Sequence, residues 1–188
     1  MTSRTDSRQR FIDAAADLFQ TQGYHATGLN QLVSAGGAPK GSLYFHFPGG
    51  KEQLAAEALA QSGRRLREQL DAILTSGGDL AAAFDTLTAL LTDSDFERGC
   101  PIATIALDAA RQSEPIRQAC VSGFESWRVT IEKFLTDKGI DATRAAELST
   151  VALAMIEGAL LLAKTQRNTA PLRAVADHLR TTFEGELS

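Results

Sequence analysis

Residues 36–54 read GGAPKGSLYFHFPGGKEQL. Between two glycine turns, Lys40, Gly41, Ser42, Tyr44, Phe45 and His46 set a cation, a hydroxyl, a phenol, an apolar ring and an imidazole beside a residue with no side chain. That mixture suits a nucleic-acid duplex. Ser42 donates or accepts at a base edge or a phosphate, and Phe45 offers an apolar face to a thymine methyl. Tyr44 O–H and His46 N–H donate to phosphate oxygens, contacts that set register rather than read sequence. Gly41 lets the backbone approach closely, and Lys40 and Lys51 bracket the segment with positive charge. Singly, each member has a plainer reading: Phe45 as a satellite-core ring, His46 as a satisfied boundary histidine. The combination carries the inference.

These groups need an element that turns them one way, and a helix over Pro39–Phe47 does so. At 100° per residue Leu43 and Phe47 share a face, four apart. Gly41 and Phe45 lie opposite, Ser42 and Tyr44 flank them, and His46 falls near the buried edge. Before it, a helix over Ser7–Thr21 aligns Phe11, Ala15, Leu18 and Phe19. Thr27 reads as the N-cap of a short helix over Gly28–Ala35 and sits where a helix N-terminus would meet a phosphate. Gly36-Gly37 then makes a tight turn, and Pro39 suits the first helical position. Helix, tight turn and second helix form the helix-turn-helix pattern. In its DNA-binding form the second helix enters the major groove with its N-terminal residues forward.

The remainder is also helical. Six segments carry apolar stripes, over residues 51–75, 79–92, 100–111, 114–137, 141–166 and 169–184, and none alternates with period two. The expected fold is all-α, with a three-helix DNA-binding head at 1–50 and a six-helix effector-binding and dimerisation body at 51–188. The chain has 188 residues and a net charge of −4, which at first argues against nucleic acid. Distribution matters more: residues 1–51 hold five basic residues against three acidic, and residues 52–188 hold 14 against 20. A locally basic surface binds phosphate even on an acidic chain.

Other classes find less support. Asp13 and Asp17 interrupt any secretory apolar core. Val151–Ala163, the longest apolar stretch, is too short to span a bilayer and contains Glu157. A cytoplasmic protein with no membrane partner is expected. Cys100 and Cys120 lack metal spacing, and His25, His46 and His178 are scattered, so no metal or other cofactor is expected. A small all-helical enzyme would have to rely on Glu157 and Asp108, without a nucleophile–base–orienter set. A helical protein-interaction module, its head binding protein, is the remaining alternative.

Residues 8–55 resemble the DNA-binding head of the TetR (tetracycline-repressor-like) family, the matching stretches being RFIDAAADLFQTQGYHATGLNQL and GAPKGSLYFHFPGGKEQLAAEAL. With RGCPIATIAL and IEGALLLAKT, the chain most resembles the LmrA/YxaF-like branch. The usual hydroxyl before the recognition-helix lysine is Pro39 here, so a base contact from that position does not carry over. The resemblance implies a homodimer on double-stranded operator DNA, released by a small-molecule effector; the branch implies a flat aromatic one. The last two helices would form the interface through Val151, Ala159, Leu162, Val175, Leu179 and Phe183. Helices apolar on several faces need several partners, although burial within one chain explains them equally. The effector pocket would draw on Phe84, Leu87, Ile105, Asp108, Phe124, Trp127 and Met155, each of which also reads as core. Glu157, amid MIEGALLLA, must pair across a dimer, meet a ligand or reach solvent.

Overall fold

The computed structural model describes residues 4–75 and 80–187. Nine α-helices and no strands occur among the described residues. They group into two compact units: the chain up to Arg64 together with Pro101–Phe124, and Arg65–Cys100 together with Glu125 onward. The cut after residue 50 read from the sequence follows the helix-turn-helix, whereas these units follow packing.

In the first unit, α1 (Arg4–Gln22) starts three residues before the predicted Ser7 and stops at Gly23, whose φ is 86°. α2 (Leu29–Gly36) is closed by Gly37 in the left-handed conformation. Gly36 is needed for contact: a Cβ there would lie 2.3 Å from Phe11 Cδ1. α3 (Lys40–His46) begins one residue later than expected, with Pro39 as its N-cap at φ −58°, ψ 150°. Phe11, Phe19, Leu32, Leu43 and Phe47 are fully buried together, and Phe11 meets Phe47 edge-on at 6.3 Å. Each such burial contributes about 1.5–3 kcal/mol. This small core fixes α3 against α1 and α2. α4 (Gly50–Thr75) supplies residues to both units.

α6 (Ala103–Ala109) is shorter than the predicted 100–111. Pro101 disfavours helical geometry at Cys100, and Glu97–Cys100 stay irregular. α7 (Glu114–Asp137) matches its predicted span. α5 (Leu80–Thr92) belongs to the second unit; its predicted start at residue 79 lies outside the described residues.

α8 (Ala142–Gln166) and α9 (Ala170–Gly185) complete the second unit. Asp141 caps α8, accepting from the N–H groups of Thr143 and Arg144 at 2.9 and 3.3 Å. α8 is long and apolar enough to cross a membrane by length and composition. Here Ala145, Ala152, Ala159 and Ala163 form its buried side, small enough for close helix packing. Arg128 on α7 ties Glu125 and Glu132 to the buried Ser149 of α8.

Candidate nucleic-acid interface and ligand cavity

The aromatic segment divides as its helical geometry requires. Leu43 and Phe47 are buried, while Phe45 is 61% and Tyr44 46% exposed. Lys40 and Gly41 are exposed on the same short helix, Ser42 is half-buried, and a Cβ at Gly41 would meet nothing within 4 Å. Phe47 is held from behind by the Arg8 guanidinium, 5.4 Å from its ring centre.

One sequence-predicted contact needs correction. Thr27 is not an N-cap: Gly28 occupies that position, and its N–H donates to Gln31 Oε1 at 2.7 Å. Thr27 is fully buried, with its hydroxyl donating to the Gly23 carbonyl at 2.7 Å, so its side chain is engaged inside the chain. His46 is half-buried, and its Nε2 lies 2.8 Å from Ser7 Oγ, so that nitrogen is engaged within the chain. Lys51 is half-buried, with Nζ 4.2 Å from the Tyr24 ring centre. Burial pushes its pKa down and Asp108 partly offsets this.

The sequence places Asp108 in the effector pocket. It instead braces the α1–α2 loop, accepting from the His25 backbone N–H at 2.8 Å. Sequence offered no signal for this, because 83 positions separate the partners. Ile105 is buried in the first unit beside it, and Phe124, half-buried, also belongs to that unit.

The second unit contains a cavity of about 60 Å³. Of the residues expected in an effector pocket, Phe84, Leu87 and Trp127 line it; Ile105, Asp108, Phe124 and Met155 do not. Leu179 and Phe183, assigned to an interface from the sequence, face this cavity and are buried within the chain, as is Ala159 beside it. Val175 is half-buried. Val151 and Leu162 are 53% and 51% exposed, and they continue through Ala154, Gly158 and Leu161 as an outward stripe of α8. Glu157 lies in the cavity wall with Oε2 buried and unpartnered. Burial raises its pKa, and a hydrogen bond from Cys100 partly offsets that rise. Cys120 is buried and its thiol is pushed up to about 11, leaving it protonated at neutral pH.

Comparison with known proteins accords with this geometry. Residues 11–58 match the model of bacterial regulatory proteins of the tetR family. Residues 78–178 match the C-terminal domain of LmrA/YxaF-like transcriptional regulators. The HTH-type transcriptional regulator LmrA of Bacillus subtilis is 41% identical over 171 residues, covering 89% of this chain and 91% of that protein. The uncharacterized HTH-type regulator YxaF of the same organism is 39% identical over 184 residues, covering 95% and 96%. Among solved structures, a TetR regulator from Chloroflexus aurantiacus is 28% identical, with TM-score 0.74 and 96% coverage of both chains. The reduced form of E. coli NemR shares the fold at TM-score 0.79 and 22% identity, covering 93% of this chain and 96% of its own. The chain belongs to the TetR family of helix-turn-helix transcriptional regulators, in its LmrA/YxaF-like branch.

Proposed function

We propose that the protein is a cytoplasmic homodimeric repressor, released from a palindromic operator by a small apolar or aromatic effector, and not an enzyme. The head at residues 1–50 lays α3 in the major groove. Phe45 and Ser42 read base edges, Gly41 permits the approach, and Lys40, Tyr44 and Lys51 anchor phosphates. His46 contributes through whichever ring edge Ser7 leaves open. The observation that carries this reading is the exposed Phe45–Tyr44 pair on a helix whose opposite face is fully buried.

The effector enters the cavity of the second unit. A drug-sized molecule exceeds its resting volume, so its walls, including Leu66, Leu70 and Leu74 of α4, must spread. α4 continues without a break from the residues packed in the head's unit, so its displacement is the proposed route of release. Linkage requires operator to weaken effector binding by the same factor. The outward stripe of Val151, Ala154, Gly158, Leu161 and Leu162 supplies the self-complementary face.

The test is binding of the purified protein to its own upstream DNA by fluorescence anisotropy at two salt concentrations, against scrambled DNA. Specific binding that weakens steeply with salt supports phosphate anchoring with base readout. Failure there, followed by an empty genome-fragment selection, sinks the reading.

A further inference from the structure

The cavity of the second unit is lopsided in chemistry. Among the described residues, eighteen line it, and Glu157 is the only ionisable one of these. Thr130, the other polar side chain apart from the Trp127 indole, donates its hydroxyl proton to the Ser126 carbonyl at 3.1 Å. Glu157 Oε2 is buried and has no hydrogen-bond partner among the described residues. A buried acceptor left in that state is destabilising. Removing the carboxylate would remove the cost, so the group is best explained by a ligand that satisfies it. Four aromatic rings, of Phe84, Trp127, Phe134 and Phe183, line the same space.

We infer that the effector is an apolar organic cation whose protonated nitrogen donates to Glu157 while its hydrocarbon or aromatic body packs against these rings. The inference rests on the reading of this cavity as the effector site. A charged donor is favoured over a neutral one for three reasons. Charge-assisted hydrogen bonds are roughly twice as strong as neutral ones. Aromatic faces attract cations within about 6 Å of the ring centre. Among the described residues no basic side chain lines the cavity, so a ligand is the source of countercharge available to Glu157. An anionic ligand would meet the carboxylate with like charge. The Cys100 thiol is the titratable neighbour that hydrogen-bonds Glu157, and it adds no positive charge.

The protein carries its own reporter. Trp127 is the single tryptophan, it is 3% exposed, and it stands in the cavity wall. Its emission can be titrated in the full-length protein without DNA, using 4-phenylbutylamine and its uncharged counterpart 4-phenyl-1-butanol. At neutral pH the amine is expected to bind at least tenfold more tightly than the alcohol. Glu157→Gln should weaken the amine about tenfold and leave the alcohol within about threefold. Equal affinities in the wild-type protein, a comparison that needs no variant, would overturn the cation assignment and leave the cavity reading standing. The same holds if Glu157→Gln folds and keeps the preference. No Trp127 response to either compound up to its solubility limit would overturn both.

Discussion

At the residue scale, Phe45 is the sharpest commitment. An apolar ring 61% exposed gives up favourable burial, and insertion against a base-pair edge would recover it. Phe45→Ala is expected to lower affinity for the specific operator about tenfold, within the roughly 1–3 kcal/mol of a single base contact. Affinity for scrambled DNA should hardly change. Lys40→Ala should behave differently, weakening all sequences and reducing the salt slope by about one. Equal losses on specific and scrambled DNA for Phe45→Ala would mean the ring does not read sequence. Glu157 gives a prediction about stability. Its folded pKa is raised by burial above the ordinary 4.5. The neutral acid is therefore tolerated below that pH, and stability is lost as pH rises through the folded value. Glu157→Gln should melt higher than wild type at pH 8, by about 2–4 °C per kcal/mol of charging cost removed. The gap should close as the pH falls toward 4.5; a constant gap in pH-dependent melting curves would refute it. The ring orientations were legible in the sequence because a four-residue spacing fixes which pair turns inward. Thr27 was not. A threonine before a helix reads alike whether it caps the helix or closes a buried turn, and only the fold shows its hydroxyl on the Gly23 carbonyl.

At the element scale, helix existence was legible and helix partnership was not. Period and turn chemistry place α1 to α9, with boundary shifts where Pro39 and Pro101 set local geometry. Nothing in that period says which apolar face meets which. An α8 apolar on several sides is equally compatible with a core helix and an interface helix. In the structure its alanines face inward, while Val151, Leu161 and Leu162 are exposed. The brace from α6 to the α1–α2 loop is the partnership with most consequence. Asp108 accepts from the His25 N–H, and Gly23 approaches so closely that a Cβ there would lie 3.2 Å from Asp108 Oδ2. The loop positions α2, and α2 supports α3. Asp108→Ala removes the acceptor and should lower operator affinity about 5- to 30-fold, given roughly 1–2 kcal/mol for a hydrogen bond to a charged group in a partly exposed setting. Asp108→Asn retains a side-chain carbonyl in the same place and should recover most of that loss. Anisotropy titrations of the pair decide it: equal impairment by Ala and Asn would mean that charge, through Lys51, matters rather than the hydrogen bond.

At the scale of the whole molecule, one head is a weak reader. α3 presents only seven residues, and the chain carries a net charge of −4 against a polyanion. Affinity must come from using two heads at once. A homodimer with twofold symmetry offers them to half-sites about one DNA turn apart, and the second contact then forms at high effective concentration, worth about 10²–10⁴ in avidity. The face proposed to hold the copies together is the exposed α8 stripe. Ala154 and Gly158 let helices approach, while Val151, Leu161 and Leu162 fill the seam. Leu162 is 51% exposed and Glu there meets no crowding within the chain, so Leu162→Glu should leave the fold intact while burying two like charges across a twofold interface. Sedimentation is expected to show monomers at concentrations where the wild-type protein is dimeric. Operator affinity should fall about 100-fold or more, and the Trp127 response to a cavity ligand should persist because the cavity is formed within one chain. A variant that remains dimeric would place the interface elsewhere. A monomer that still bound operator at wild-type affinity would mean that a single α3 suffices, and the requirement for a palindromic site would go with it.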